Sequence, residues 1–317
     1  GALNTTMCYR TSCTKPAWPI ELLALLASLG SGLQAHGALL RGRPLVVFAC
    51  HHKSGTDLLE MLTTTRGFKQ VFGEAMGMKW DHATGSVGWI GHSIFQPHFL
   101  DQGSNFNASD ARMYTNFDLQ ALEHVRGSGR DFRLVHLVRD PLALTVSGYY
   151  HHLKFDDTPR LTGTGPGVLR SLPAREGLEA EAAAELNGTV REAYDVLHAT
   201  KKDPRVLTVG FEDFRDDFNA TVACICSFLL GPGHPDVAKL LDAAQVANIA
   251  HWNSSKLENV DPGHFTTEEQ KQEALQTIAA DPSPVWSLVK LARHSSGYRE
   301  RAPGVWRYKH PCRSGDA

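Results

Sequence analysis

Two short segments of the sequence carry residue types that build anion-binding sites. The first is Lys53-Ser-Gly-Thr56, in which a lysine, two hydroxyls and a glycine lie together. The second is Arg139-Asp-Pro141, with Ser147 eight residues after the arginine. A guanidinium binds phosphate through two parallel hydrogen bonds, a hydroxyl supplies a third, and an ammonium adds a compact charge. The two segments therefore predict sites for phosphate or a similar oxyanion.

The first segment lies between a predicted strand and a predicted helix. Residues 44–50 are a short apolar run with β-branched and aromatic residues, which is typical of a strand buried on both faces. From Thr56 onward leucines recur at helical spacing. Residues 51–55 form the turn, in which Gly55 can adopt a backbone conformation closed to other residues. A strand, a tight turn and a helix direct unpaired backbone N–H groups at an anion.

The second segment has the same arrangement. Residues 132–138 predict another buried strand, Asp140 a helix cap, and Pro141 the first turn of that helix, where a missing N–H costs nothing. Arg139 follows the strand at its carboxyl end, where open α/β sheets bind ligands. Ser147 lies about two helical turns further on, so we expect it to project toward the same crevice.

The first turn differs from the P-loop of nucleotide-binding proteins. That loop needs a lysine after its second glycine, whereas Lys53 precedes Gly55 and Ala49 stands where the first glycine would be. The order Lys-Ser-Gly-Thr after a strand resembles the 5′-phosphosulfate loop of sulfotransferases that use 3′-phosphoadenosine 5′-phosphosulfate (PAPS). The Arg-Asp-Pro segment with its serine resembles the 3′-phosphate site of that family. The resemblance implies an α/β fold, with a central parallel sheet flanked by helices: the P-loop-like sulfotransferase fold.

The resemblance also implies which residues bind PAPS and its product PAP. Phe211, in a Phe-Glu-Asp turn after a strand, would stack on the adenine where the family has tyrosine, although a core position is the alternative. Trp252 would lie against the purine. The basic segment 297–307 resembles a loop that closes over the 3′-phosphate, with departures from its pattern. The implied nucleotide-binding residues are His52, Lys53, Ser54, Gly55, Thr56, Asp57, Arg139, Ser147, Phe211, Trp252, Arg299 and Arg301.

Sulfuryl transfer from PAPS needs a base for the acceptor, in-line geometry, and positive charge at the departing phosphate oxygen. Lys53 would supply that charge, assisted by the helix N-terminus. His92 lies in a Gly-His-x-x-aromatic segment that resembles the catalytic-histidine segment of glycan O-sulfotransferases, and histidine titrates near working pH. Glu74 is the alternative base, because related glycan enzymes place a glutamate about this far beyond the lysine. The donor is already activated, so no metal is expected. His51, His52, His151 and His152 flank the cofactor loops and are interpreted as supporting groups.

Further elements follow from local patterns. Val87–Gly91 predicts a second strand, and residues 96–111, rich in Gly, Asn, Asp and Ser, predict a surface loop. Asn116 is predicted to cap a helix over residues 117–126, which Gly127 ends. The remaining predicted elements are a helix over 176–200, a strand over Arg205–Val209, and helices over 217–230 and 235–249.

Size and composition limit the class of protein. With 317 residues, 42% hydrophobic and 21% charged, the chain has the composition of a globular enzyme. We expect a lead-in segment over 1–43 and a sulfotransferase domain over 44–317. A net charge of −2 gives no reason to expect nucleic acid as a partner. The six cysteines match no zinc spacing, so Cys224 and Cys226 are interpreted as buried apolar residues or partners of distant cysteines.

Five N-x-Ser/Thr sequons predict passage through the secretory pathway, where such asparagines are glycosylated on exposed loops. No apolar run reaches the roughly 20 residues that span a bilayer. We therefore expect a Golgi-lumen protein whose type II membrane anchor precedes residue 1, with a cytoplasmic location as the alternative. The sequons are at Asn4, Asn107, Asn187, Asn219 and Asn253.

The sequence thus predicts transfer of a sulfuryl group from PAPS to an acceptor hydroxyl. The sequons and the surroundings of His92 favour a carbohydrate acceptor, and the near-neutral charge argues against a heavily sulfated polymer. A small-molecule alcohol or phenol is the alternative acceptor, and a non-catalytic PAPS-binding protein is a further alternative. A kinase would need a glycine–lysine order and a magnesium-binding carboxylate near the loop, and we find neither.

Overall fold

A six-stranded sheet is the framework of the computed structural model, which describes residues 44–73, 75–81, 86–89, 111–154, 168–251, 266–302 and 305–309. The strand order is β3-β2-β4-β1-β5-β6, and every neighbouring pair is parallel except β2 and β3, which are antiparallel at one edge. The strands are β1 Leu45–Ala49, β2 Ala75–Asp81, β3 Ser86–Trp89, β4 Ala111–Thr115, β5 Phe132–Val138 and β6 Val206–Gly210.

The helices follow the strands as crossover connections and as a C-terminal layer. They are α1 Thr56–Thr64, α2 Arg66–Phe72, α3 Leu119–Arg126, α4 Pro141–Lys154, α5 Val168–Ser171, α6 Ala174–Asn187, α7 Thr189–Thr200, α8 Phe211–Asp216, α9 Phe218–Leu230, α10 Asp236–Ala244, α11 Glu268–Ala279 and α12 Pro284–Ser295. Short 3-10 turns cover Gln245–Ala247 and Ile249–His251, and a two-stranded hairpin consists of β7 Tyr298–Ala302 and β8 Val305–Tyr308.

Both faces of the sheet are buried, as the apolar strands require. Along β1, Val46 and Phe48 face a core that includes side chains of α1, α2, α9 and α10. The alternate residues Leu45 and Val47 face a second core that includes α3 and Val196 of α7. This two-sided burial is the physical reason why β1 and β5 are almost continuously apolar. The predicted α/β fold, with a central sheet flanked by helices, is confirmed.

The predicted cap at Asn116 is wrong. Helix α3 begins at Leu119 and is capped by Asp118, whose carboxylate accepts a hydrogen bond from the backbone N–H of Ala121 at 2.8 Å. Asn116 instead has a φ of 53°, in the left-handed region that asparagine tolerates better than most residues. It therefore turns the chain from β4 into the helix rather than starting the helix itself.

Three other boundaries differ from the sequence predictions. Strand β4 was not predicted, because the charged Arg112 interrupts its apolar run. In the sheet this residue is only 3% exposed. The predicted helix over 176–200 is two helices, because Gly188 ends α6 and precedes α7. The predicted strand over Val87–Gly91 begins at Ser86 and is the antiparallel edge strand β3. The predicted lead-in segment over 1–43, and the loop as far as residue 110, lie outside the described residues.

The cysteines near the core differ in state. Cys224 is disulfide-bonded, whereas Cys50 and Cys226 are free thiols. Burial raises the pKa of Cys50 and of Cys226 to about 12, so both stay protonated and unreactive near neutral pH. Among the helices that the structure describes, none is long and apolar enough to cross a membrane.

Candidate active site

The turn over residues 51–55 is held together by Ser54. Its buried hydroxyl accepts a hydrogen bond from the backbone N–H of His51 at 2.7 Å and donates to the His51 carbonyl at 2.8 Å. The backbone N–H of Ser54 also donates to that carbonyl, at 3.1 Å. The Ser54 side chain is therefore engaged within the turn, and its contribution to a ligand site is the shape of the loop.

Two residues of this turn have a left-handed backbone. Lys53 has a φ of 56° and Gly55 a φ of 113°. The strain of a non-glycine residue in this region costs on the order of 1–3 kcal/mol and is concentrated at functional sites. Gly55 is the N-cap of α1 and offers no side-chain cap, so the first N–H groups of the helix lack a capping side chain. That arrangement binds an anion in many proteins.

Gly55 is also where three parts of the chain meet. A Cβ atom at this position would lie 2.8 Å from Leu137 Cδ2 and 2.8 Å from Phe211 Cδ2. Leu137 belongs to β5, and Phe211 begins α8 directly after β6. The turn after β1 therefore lies close to the carboxyl ends of β5, its neighbour in the sheet, and of β6, the next strand beyond β5.

Arg139 joins the two predicted anion-binding segments. Its Nη1 donates a hydrogen bond to the carbonyl of Lys53 at 2.6 Å. Its guanidinium carbon lies 4.8 Å from the ring centroid of Phe211, a cation–π contact. Its buried Nε has no hydrogen-bond partner among the described residues. The structure thus brings Lys53, Arg139 and Phe211 into one site at the carboxyl ends of β1, β5 and β6.

A buried network positions the backbone next to Arg139. The N–H of Asp140 donates to Glu212 Oε1 at 3.1 Å, and the Tyr298 hydroxyl donates to Glu212 Oε2 at 2.8 Å. Arg293 Nη2 donates to Asp140 Oδ2 at 2.6 Å. Burial raises the pKa of Glu212, and that of Asp140 against the opposing effect of Arg293. Burial lowers the pKa of the Arg139 guanidinium, and the charge of Glu212 opposes this shift.

This network was not predicted from the sequence. Glu212 lies in the Phe-Glu-Asp turn and is 5% exposed, so a signal was present in the turn itself. Arg293 and Tyr298 come from α12 and β7, more than 150 residues after Asp140, with no local pattern to connect them. Only the tertiary structure reveals these partners.

Ser147 is buried in α4, three residues after Leu144, which lines a cleft beside the site. The cleft runs from the turn to α7, and its lining includes Arg139. Whether Ser147 binds a phosphate stays a prediction. The cleft is lined by His51, Ser54, Val138, Arg139, Pro141, Leu144, Val190, Ala193, Leu197 and Ser296.

The other predicted site residues have varied positions. Arg299 and Arg301 are exposed residues of β7, and the Arg299 guanidinium donates to the carbonyls of His294 and Tyr298 at 3.0 and 2.8 Å. Their closure over a phosphate stays a prediction. Thr56 Oγ1 lies 3.5 Å from the buried Cys50 thiol, and Asp57 is in the first turn of α1. The base candidates Glu74 and His92, and also Trp252, lie outside the described residues.

Two histidine contacts surround the turn. His51 Nε2 lies 2.8 Å from His136 Nε2, and both rings are fully buried. Burial lowers the pKa of His136 to about 3; burial and the neighbouring ring lower that of His51 well below its usual range. His52 Nε2 lies 3.3 Å from His152 Nε2, and the two rings are stacked. Within the described residues, no group of three or more His, Cys, Asp or Glu side chains could hold a metal ion.

Comparison with known proteins identifies the class. The chain belongs to the family described as "Sulfotransferase domain", which matches residues 46–271 and so includes both Lys53 and Arg139. The predicted membership of the sulfotransferase superfamily is therefore confirmed. The match ends before Arg299 and Arg301. No curated protein matches the sequence.

Solved structures of similar fold share little sequence with this chain. Mouse sulfotransferase SULT7A1, complexed with PAP, is 14% identical, over 78% of this chain and 88% of that chain, with a TM-score of 0.41. Retinol dehydratase, in complex with androsterone and inactive cofactor PAP, is 15% identical over 75% and 80%, with a TM-score of 0.38. A sulfotransferase from Alicyclobacillus acidocaldarius is 16% identical over 73% and 99%, with a TM-score of 0.34.

Proposed function

We propose that this sulfotransferase moves the sulfuryl group of PAPS to a hydroxyl of a carbohydrate. The observation that carries the proposal is the 2.6 Å hydrogen bond from Arg139 to the Lys53 carbonyl, which brings the two anion-binding segments into one site. PAPS carries a phosphosulfate and a 3′-phosphate on the same nucleoside. A single molecule would therefore need two cationic groups at neighbouring strand ends.

The residues present fit such a nucleotide. Lys53 and the uncapped N-terminus of α1 suit the 5′-phosphosulfate, since both favour negative charge. The buried Arg139 Nε is a donor without a partner among the described residues, and a phosphate oxygen would satisfy it. Phe211 supplies an apolar ring beside the guanidinium, suited to an adenine. Gly55 has no side chain, which allows Leu137 and Phe211 to approach the turn closely.

In this proposal the chain assists the departure of PAP. Negative charge develops on the phosphate oxygen that leaves the sulfur, and the Lys53 ammonium with the helix N-terminus stabilises that charge. The left-handed backbone of Lys53 keeps this residue at the turn before the donor binds, so little reorganisation is needed during the reaction. The donor supplies an activated sulfuryl group, and the chain supplies binding and charge.

A carbohydrate acceptor and a Golgi-type lumen remain part of the proposal. Two of the sequon asparagines, Asn187 and Asn219, are exposed, as glycosylation requires. The disulfide at Cys224 fits an oxidising compartment. Both observations support a secretory location, in which glycans are the abundant hydroxyl acceptors.

Calorimetry with PAP and with adenosine 5′-phosphate tests the donor site. We expect PAP to bind more tightly, because the 3′-phosphate reaches Arg139. Equal affinities would contradict the use of PAPS. Transfer from radiolabelled PAPS to a panel of glycans and small alcohols then tests the acceptor. Transfer only to small alcohols or phenols would replace the carbohydrate, and PAP binding without any transfer would indicate a binding protein.

The Lys53→Ala variant tests the chemical step. Loss of a preorganised charge at the leaving group should lower kcat by about 10²–10³. Lys239→Ala is the matched control, because Lys239 is an exposed lysine on α10 that pairs only locally with Asp236. A Lys53→Ala enzyme with the kcat of the control would show that Lys53 does not stabilise the leaving group.

A further inference from the structure

A chain of three side chains connects the interior of the helical layer to the turn. Glu181 of α6 is fully buried, and both its carboxylate oxygens lie 3.0 Å from His152 Nδ1. His152 of α4 is 5% exposed, and its Nε2 lies 3.3 Å from His52 Nε2. His52 is half-buried and directly precedes Lys53. The chain therefore begins in the core and ends beside the residue proposed to act at the leaving group.

The chemistry of the three groups determines which ring nitrogens of His152 and His52 carry a proton. An ionised carboxylate only accepts hydrogen bonds, so His152 Nδ1 carries a proton and donates it to Glu181. In neutral His152 the Nε2 atom is then an acceptor, and His52 Nε2 must carry the proton between the two rings. Neutral His52 consequently has its lone pair on Nδ1. This is the form that can take a proton from a hydroxyl.

A second carboxyl group, Glu185, lies beside Glu181 on α6. Burial and the charge of Glu181 raise the pKa of Glu185 well above its usual range. Gly148 of α4 makes the close approach of the helices possible, since a Cβ atom there would collide with Glu181 Oε1. Among the described residues, two further titratable side chains lie near these three: His151 of α4, whose ring centroid is 6.0 Å from that of His52, and Glu185 of α6 beside Glu181.

We propose that His52 is the general base of the transfer, with His152 and Glu181 as positioning residues; the inference rests on the proposed function. The acceptor oxygen forms its bond to sulfur as the bond from sulfur to the bridging phosphate oxygen breaks. The electron pair leaves on that oxygen as part of PAP, and the acceptor proton moves to His52 Nδ1. The resulting His52 imidazolium donates a hydrogen bond from Nε2 to His152 Nε2, and the carboxylate of Glu181 balances the positive charge of the two rings. This arrangement resembles the carboxylate–histidine pairs that orient catalytic imidazoles elsewhere.

His51 does not fit this part, although it precedes His52 and lines the cleft. Its ring is fully buried against His136, and no carboxylate is seen in contact with it among the described residues. His52 is half-buried and directly precedes Lys53 in the sequence. Its contact with His152 connects it to the buried carboxylate of Glu181. The three differences favour His52 as the residue that takes a proton.

Heteronuclear NMR of the histidine side-chain nitrogens in the ligand-free protein is the first test. We expect neutral His52 to carry its proton on Nε2 and neutral His152 on Nδ1. In the Glu181→Gln variant the loss of the carboxylate charge should lower the pKa of His52. A His52 ring protonated on Nδ1, or a His52 pKa that Glu181→Gln leaves unchanged, would overturn the inference.

Kinetics with the best acceptor of the panel and saturating PAPS are the second test. His52→Gln should lower kcat at saturating PAPS by about 10²–10⁴ and abolish the acidic limb of the pH profile. Glu181→Gln should shift that limb to lower pH, which a purely structural defect would not do. His198→Gln, at an exposed histidine on α7, is the matched control.

The outcomes separate the inference from the proposed function. Failure of wild-type protein to bind PAP would contradict the proposed function itself. If wild-type protein binds PAP and transfers sulfuryl while His52→Gln retains kcat and the acidic limb, the proposed function stands and the base is another residue. His92→Gln and Glu74→Gln, measured alongside, would then show which residue takes the proton.

Discussion

Arg139 illustrates how one side chain can define the chemistry of a site. It is half-buried, donates to the Lys53 carbonyl, and lies over the ring of Phe211. A guanidinium can do all three at once because it is planar, carries five donors and remains charged even when partly desolvated. A lysine has the same charge, but it has neither the five donors nor the planar face of a guanidinium.

Arg139→Lys should therefore be a severe change although it preserves the charge. We expect PAP affinity to fall by about 10-fold to 100-fold, the equivalent of one charge-assisted hydrogen bond at about 1.5–3 kcal/mol. Affinity for adenosine 5′-phosphate should change less, because that nucleotide lacks the 3′-phosphate. Calorimetry with both nucleotides measures this. Equal losses for the two nucleotides would mean that Arg139 does not bind the 3′-phosphate.

The position of Gly55 requires glycine both because neighbouring side chains are close and because of its backbone conformation. Gly55→Ala would place a methyl group against Leu137 and Phe211 in addition to the strain of its φ of 113°. We expect a loss of more than the about 1–2 kcal/mol that a left-handed alanine costs by itself. Urea unfolding of this variant measures the loss.

Gly129→Ala is the control for Gly55→Ala, since Gly129 has a φ of 68° and open space around it. The difference between the two free energies of unfolding isolates the crowding at the turn. If the two variants lose the same stability, the contacts of Gly55 with β5 and α8 are not tight.

At the scale of the elements, the C-terminal hairpin supports the site from a distance. The Tyr298 hydroxyl of β7 donates a hydrogen bond to Glu212 of α8. Glu212 also accepts one from the backbone N–H of Asp140 at the start of α4. Arg293 of α12 pairs with the Asp140 carboxylate and lies 4.1 Å from the Trp306 ring centroid. Four elements thus position the residue next to Arg139.

Arg293→Met tests this support. It would leave the Asp140 carboxylate buried without its cationic partner, so the free energy of unfolding should fall by about 3–5 kcal/mol. Lys239→Met removes the exposed ion pair with Asp236, in which nitrogen and oxygen are 3.0 Å apart, and should cost less than about 1 kcal/mol. Urea unfolding of both variants gives the comparison. Similar losses for the two would show that the Arg293–Asp140 pair adds no more than a surface pair.

At the scale of the whole molecule, the His51–His136 pair makes stability depend on pH. The unfolded chain binds a proton on each histidine near pH 6.5, at about the ordinary pKa. In the folded protein burial lowers the pKa of His136 to about 3 and that of His51 well below its usual range. The unfolded state therefore holds more protons below about pH 6.5, and the pair's stabilising effect is lost as the pH falls.

We expect the free energy of unfolding to fall between about pH 6.5 and 4 by about 1.4 kcal/mol per pH unit for each such histidine. His136→Gln should remove a large part of that slope even if it lowers stability at neutral pH. His198→Gln, at an exposed site, should leave the slope unchanged. Urea unfolding at a series of pH values across this range measures the slope for wild type and for both variants. A His136→Gln slope equal to wild type would exclude the buried pair as the source.

Much of the fold could be read from local patterns. The buried strands β1, β5 and β6 and helix α1 lie where their apolar spacing predicts them, because two-sided burial demands continuous apolar runs. Strand β4 was not predicted, since its Arg112 interrupts the run and is buried only by tertiary contacts. The site was predicted as two segments, but the contacts of Arg139 with Lys53 and Phe211 depend on strand order, which no local pattern encodes.

The two turns, their lysine and arginine, and the class of ligand that such groups bind follow from short stretches of sequence. These properties are local: a strand, a glycine and a helix start within a dozen residues decide them. Which side chains lie behind those residues depends on how distant elements pack. Glu181 contacts His152 only because α6 packs on α4, His152 contacts His52 where α4 meets the turn, and Arg293 contacts Asp140 across 153 residues of chain. Burial in the packed protein then raises the pKa of Asp140 and of Glu212, because desolvation acts only where the fold excludes water.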